Sequence, residues 1–171
     1  MARFTMLYNL LKKCTSLFFN LLNTLLGGRL PPFGSASVIV EDHDYYLVVE
    51  LPGNRIVFPG GFMHWHEHPR QAAAREGREE TGLTLHVGDL VNHYSITSHH
   101  WSSMSNICFV YAASVIGGRL RANVEGHPHW MHENELRTRI RGQALTILED
   151  YLRYRTGRTS SSDPPPISLI S

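Results

Sequence analysis

The chain has 171 residues, enough for one domain with an appendage, and 42% of them are hydrophobic, which supplies a core and excludes wholesale disorder. It balances 16 Lys+Arg against 15 Asp+Glu, a formal net charge of +1. That balance excludes a globally basic binder steered by bulk charge, so no nucleic-acid partner is expected. Cys14 and Cys108 lie far apart and in no C-x-x-C pair, so no disulfide framework is expected and a reducing cytoplasm is the simplest compartment. The 11 histidines fall largely in pairs and alternations such as His64, His66 and His68.

Residues 1–34 differ from the rest: they hold Arg3, Lys12, Lys13 and Arg29 and no acidic residue. Phe4, Leu7, Leu11, Cys14, Phe18, Leu21 and Leu25 recur in steps of three and four, widened by Leu10, Leu17, Leu22 and Leu26. Asn9, Lys12, Ser16, Asn20 and Asn23 occupy the opposite side. This spacing predicts an amphipathic helix, ended by Gly27-Gly28 and Pro31-Pro32. The asparagines and lysines argue against a spanning segment, and no small-x-small site follows the apolar run closely enough for a signal peptide. Two uses remain: peripheral attachment to a membrane surface, or packing of residues 4–26 on the domain or on a second copy in a homodimer.

Residues 35–156 read as the domain proper, and the Ser/Pro-rich residues 157–171 as a disordered tail. Strands are predicted at Ala36–Val40, Tyr45–Glu50 and Arg55–Phe58, with a turn at Pro52-Gly53-Asn54. Pro69–Thr81 reads as a helix, Pro69 at its first position and Gly82 just past its end. Leu83–Ile96 is β-type, broken at Gly88-Asp89, and residues 97–105 read as a loop. Asn106–Ile116 is a strong strand with Cys108 as a small buried hydrophobe, Gly117-Gly118 a hairpin turn into Arg119–Ala122, and Gln143–Tyr154 a closing helix.

The chemistry concentrates between Pro59 and Leu83. Glu76, Glu79 and Glu80 stand at i, i+3 and i+4, which puts three carboxylates on one helix face. Their mutual repulsion is relieved by a divalent cation, and an all-oxygen site suits Mg²⁺ or Mn²⁺. Arg75 is placed to hold neighbouring carboxylates, and Gly60-Gly61 frees the backbone to bring a carbonyl close to a metal or phosphate. Taken alone, a solvated acidic face balanced by Arg75 and Arg78 accounts for the same pattern. His64, His66 and His68 would share one side of a strand and suit Zn²⁺, but they precede a Pro-started helix in what reads as a loop.

Gly61, Glu67, Arg75, Glu76, Glu79, Glu80, Gly82 and the aliphatic Leu83 together match Gly-x5-Glu-x7-Arg-Glu-x-x-Glu-Glu-x-Gly-aliphatic, which resembles the Nudix box of the Nudix hydrolases. Seven fixed choices at fixed spacing arise by chance with a probability of roughly 10⁻⁸ to 10⁻⁹ per start position. The resemblance implies an α/β/α sandwich with a mixed β-sheet, carrying the amphipathic helix as an addition. It implies a metal-dependent hydrolase, using Mg²⁺ or Mn²⁺, that cleaves the pyrophosphate linkage of a nucleoside diphosphate derivative or nucleoside triphosphate. Glu76, Glu79 and Glu80 are the implied metal ligands, with the Gly60 carbonyl. Glu67 takes a supporting or base-positioning role, Arg75 organises the carboxylates, and Glu79 or Glu80 acts on the attacking water. In some relatives a downstream loop glutamate is the base; Glu125, before Trp130, is the candidate extra ligand or base here, against an ordinary turn carboxylate.

Specificity lies outside the box. Arg55 is placed to reach a phosphate, and Trp101, Trp65 and Tyr94 to stack on a base. Neither the Pro nor the Tyr that marks some subfamilies stands among Thr97–Trp101. A catalytically silent nucleotide-binding or sensor module, membrane-associated through the first helix, is the alternative. One position departs from the pattern: Gly77 stands where the family carries an aliphatic residue, with only Ala73 and Ala74 a turn earlier. Either the helix packs very close to the sheet or larger neighbours fill the gap; those neighbours are expected to leave room, making Gly77→Ala neutral or stabilising.

Overall fold

The computed structural model describes residues 2–97, 104–122 and 126–160. Its elements run α1 (Ala2–Leu25), β1 (Phe33–Asp42), β2 (Tyr45–Leu51), β3 (Arg55–Val57), β4 (Gly60–Phe62), α2 (Pro69–Thr81), β5 (Leu83–Ile96), β6 (Asn106–Gly118), β7 (His127–His132), α3 (Glu133–Arg139) and α4 (Gln143–Ser160). The strands form one mixed sheet in the order β3-β2-β1-β6-β5, with β4 paired to β1 and β7 to β2. The β1–β6 pair is parallel and the others are antiparallel. β1 is the pivot: Phe33–Val40 pair with β6, while Glu41 and Asp42 pair with β2 across a two-residue turn. His43 and Asp44 both take positive φ there (49° and 63°), the geometry that matches a hairpin's twist.

Alternation along the strands builds two apolar layers. Ile39, Tyr46, Val48, Cys108 and Val110 pack with Leu136, Ile140, Ile147 and Leu148 on the face covered by α3 and α4. Val38, Val40, Leu47, Leu85 and Val87 pack on the other face with Ala72 and Ala73 of α2. Helices therefore cover both sides of the sheet, and the α/β/α sandwich stands. Both cysteines are free thiols, Cys108 buried and Cys14 exposed.

Several local expectations change. The β5 break at Gly88-Asp89 is a register shift inside one continuous strand, between Val87 and Leu90. Gly117-Gly118 is not a hairpin turn: β6 runs through both, with Gly118 opposite Leu83. Arg119–Ala122 form no strand; instead Arg119 N and Arg121 N donate to the Gly82 and Thr81 carbonyls. α4 extends to Ser160, past the Gly157 where the tail was placed, and residues 161–171 lie outside the described residues.

α1 sits opposite to the usual sense of an amphipathic helix. Its side toward the domain is the polar one: Ser16 is buried, Asn20 and Asn23 are half-buried, and Asn23 Oδ1 accepts from Leu30 N at 3.0 Å. Phe19 supplies the apolar contact on that side, stacking edge-on against Phe33 at 4.7 Å between centroids. Leu17, Phe18, Leu21 and Leu25 point away from the domain, Phe18 61% and Leu25 75% exposed. Among the described residues no helix is long and apolar enough to cross a membrane.

Candidate active site

The site is assembled by α2 lying over β4. The helix begins on His68, whose Nδ1 accepts from Arg70 N, while Gln71 Oε1 accepts from His68 N, a reciprocal cap; Pro69 follows in the first turn. It ends at Gly82, left-handed at φ 76°, whose N–H donates to the Arg78 carbonyl. Ala72, Ala73 and Gly77 form the buried face, so small side chains let the helix approach the sheet closely. A Cβ at Gly77 would stand 2.5 Å from Leu85 Cδ1 and 3.4 Å from Val38 Cγ2. The expected spare room is therefore absent: Leu85, from the sheet, already fills it.

Arg75 is the hub. Its Nε and Nη2 donate to the two Glu67 carboxylate oxygens at 2.8 Å each, its Nη1 to Glu76 at 2.8 Å and Glu79 at 3.1 Å, and its Nη2 to the Phe62 carbonyl at 2.9 Å. One guanidinium thus ties the helix, the loop before it and β4 together. Glu67 also accepts from His64 N at 2.9 Å. The Arg75 fork, aided by that backbone donor, holds the Glu67 carboxyl down at about 2 against an ordinary 4.5. Arg75 is in turn held firmly in its charged form, chiefly by Glu67 and then Glu76.

β4 explains the glycines. Gly60 and Gly61 pair with Ser37 and Ala36, and a Cβ at Gly60 would stand 2.6 Å from the Ala36 carbonyl oxygen. A Cβ at Gly61 would stand 2.5 Å from the Glu76 carboxyl carbon. Gly60 N donates to Glu80 Oε2 at 2.9 Å, and Glu80 is only 8% exposed, whereas the Glu79 side chain is 59% exposed.

The structure thus brings Gly60, Glu67, Arg75, Glu76, Glu79 and Glu80 together. Arg55 is exposed on β3, an edge strand, outside the Arg75 cluster. Glu125 and Trp101 lie outside the described residues. Trp65 is 94% exposed in the loop before α2, while Tyr94 donates to Asp150 Oδ2 at 2.7 Å, which ties it to α4. The segment carrying His64 and His66 is a turn, not a strand, and no three His, Cys, Asp or Glu among the described residues already converge as a metal cluster. Sequence reasoning missed the Phe62 carbonyl, which carries no side-chain signal. It also missed the His68 cap, which Gln71 three residues on could have flagged.

A family model, the NUDIX domain, matches residues 31–151. The chain belongs to the Nudix family. It is a pyrophosphohydrolase of that class. It is 27% identical over 132 residues to an ADP-ribose pyrophosphatase of Methanocaldococcus jannaschii, covering 75% of this chain and 78% of that protein. A NUDIX hydrolase from Nitrosomonas europaea shares the fold at TM-score 0.66 and 23% identity, over 72% of this chain and 90% of that one. A bifunctional NMN adenylyltransferase/ADP ribose pyrophosphatase from Francisella tularensis, solved with AMP and a manganese ion, shares it at TM-score 0.62 and 16% identity, over 83% of this chain and 47% of that one.

Proposed function

We propose that the chain hydrolyses the pyrophosphate linkage of a nucleoside diphosphate joined to a sugar-type group, with Mg²⁺ or Mn²⁺ as cofactor. The observation that carries this reading is the five-bond Arg75 hub, which ties Glu76 and Glu79 to Glu67 and β4, with Glu80 bonded to Gly60 N beside it. The substrate class follows the ADP-ribose pyrophosphatase relative.

Carboxylates are hard oxygen donors, which suits either cation. Any side chain at Gly61 would fill the space beside Glu76, so the glycine keeps that cradle open. Glu76, Glu79, Glu80 and the Gly60 carbonyl would hold the cation. When bound, it neutralises phosphate oxygens and makes a coordinated water more acidic.

The chain's own residues divide the remaining work. Glu80, buried on Gly60 N–H, fixes β4 against α2. Glu79 is the more exposed carboxylate and takes the proton of the attacking water at a side-chain oxygen. Arg75 and Glu67 position Glu76 and Glu79 and touch no reacting atom. Reaction in the cytoplasm accords with two free thiols.

The test is a panel of ADP-ribose, nucleotide sugars and nucleoside triphosphates incubated with Mg²⁺ or Mn²⁺, reading released nucleoside monophosphate, phosphate and pyrophosphate. Nucleoside monophosphate from ADP-ribose or a nucleotide sugar is the expected product. Turnover of triphosphates alone overturns the substrate class. Tight binding with no turnover anywhere overturns the hydrolase reading in favour of a sensor module.

A further inference from the structure

A series of aromatic contacts links the outward stripe of α1 to the lip of the active site. Phe18 meets Phe19 at 5.4 Å between ring centroids, Phe19 meets Phe33 at 4.7 Å, and Phe33 meets Phe62 at 6.1 Å, all edge-on. This relay leads from the exposed side of α1 to β4, where Phe62 is exposed and its carbonyl accepts from Arg75. Three residues on, Trp65 is 94% exposed, in the same loop as Glu67. An indole with an apolar body and one polar N–H suits a water–lipid boundary.

Charge selects the occupant. The 24-residue helix and its linker hold four basic residues and no acidic one. Leu17, Phe18, Leu21 and Leu25 form an exposed apolar stripe on this acid-free helix. A helix of that pattern lies in the plane of a bilayer, apolar side down, with its cations among headgroups.

We propose that α1 seats this protein on an anionic membrane surface, with the Phe62–Trp65 lip of the active site turned to the same surface. The proposal does not rest on the substrate reading, because attachment is measured without nucleotide.

The test is co-sedimentation of the full chain with vesicles of phosphatidylcholine, alone or with phosphatidylglycerol. The chain is expected to pellet with the phosphatidylglycerol vesicles and to be released as salt rises towards about 1 M, where the screening length falls to about 3 Å. The double variant Leu17→Asp/Leu21→Asp is expected to stay in the supernatant with an unchanged circular dichroism spectrum. Lys12→Glu/Lys13→Glu, which leaves the stripe intact, is expected to lose the preference for phosphatidylglycerol. Tryptophan emission is expected to shift to the blue on vesicles, a shift lost in Trp65→Phe. Recovery of the unaltered chain in the supernatant with both vesicle types overturns the proposal. Equal pelleting of Leu17→Asp/Leu21→Asp overturns it too. A dimer by light scattering that dissociates in that double variant assigns the stripe to a second copy instead. A blue shift that survives Trp65→Phe overturns the orientation of the lip.

Discussion

Arg75 clasps Glu67 with two parallel bonds, Nε to Oε1 and Nη2 to Oε2, each 2.8 Å long. The clasp joins residues eight apart and both are largely shielded from solvent, so it fixes the loop before α2 onto the helix itself. Glu67 ionises near 2 in the folded chain, against an ordinary 4.5 for the unfolded one. The folded state thus favours the charged form, and its contribution to stability is complete above about pH 4.5 and fades as pH falls to about 2. Glu67→Gln is expected to cost about 2 kcal/mol at neutral pH. It should also flatten the loss of stability over that acid window, read by urea unfolding at stepped pH.

Gly77→Ala is expected to lower the melting temperature. Alanine gains about 1 kcal/mol in helix propensity, but forcing Leu85 aside in a filled layer costs about 1–3 kcal/mol. The net expectation is a loss of about 1 kcal/mol. Trimming the obstacle tests the cause: adding Gly77→Ala to Leu85→Val should be markedly less harmful than adding it to the parent chain, in a thermal-melt double-mutant cycle.

Glu79→Gln removes both a cation ligand and the base, whereas Glu80→Gln removes a cation ligand alone. Glu79→Gln is expected to reduce kcat by about 10²–10⁴-fold, the range for loss of a general base. Glu80→Gln keeps an oxygen to accept the Gly60 N–H, so its fold should persist by circular dichroism while turnover falls at least about 100-fold and the Mg²⁺ needed for half-maximal rate rises. Near-normal turnover in Glu80→Gln would refute its assignment. Chelation with EDTA is expected to abolish turnover of the parent chain and leave its spectrum unchanged.

His68→Ala removes the acceptor for Arg70 N at the start of α2 and is expected to cost about 1 kcal/mol. His68→Asn restores a capping oxygen and should recover most of that loss. Thermal denaturation of both variants, with turnover measured alongside, shows whether the cap also steadies the carboxylate face.

α2 was legible to the residue, because Pro69 and Gly82 mark its ends and the carboxylate spacing needs a helix. The clustering of Glu67 with Arg75 was legible through the box. β4 was not, since Gly60 and Gly61 carry no strand preference and owe their extended form to pairing with β1, over 20 residues earlier in the chain. Gly117-Gly118 misled for the related reason that glycines mark close approach as well as turning: a Cβ at Gly118 would stand 2.5 Å from the Gly82 carbonyl oxygen. Periodicity located the apolar stripe of α1 but carries no information on which side meets the domain. Among the described residues, Phe19 is the aromatic of α1 that meets Phe33 of the domain.

The inverted seating of α1 makes it a detachable fitting and not a wall of the molecule. Removing residues 1–28 strips away exposed Leu17, Phe18, Leu21 and Leu25 and breaks the Phe19–Phe33 contact. The shortened chain is expected to be more soluble and less prone to self-association than the full one, with a melting temperature within a few degrees of it, as scanning calorimetry and size-exclusion chromatography would record. Equal self-association of the full and shortened chains would show that the exposed stripe of α1 is not what makes the protein sticky.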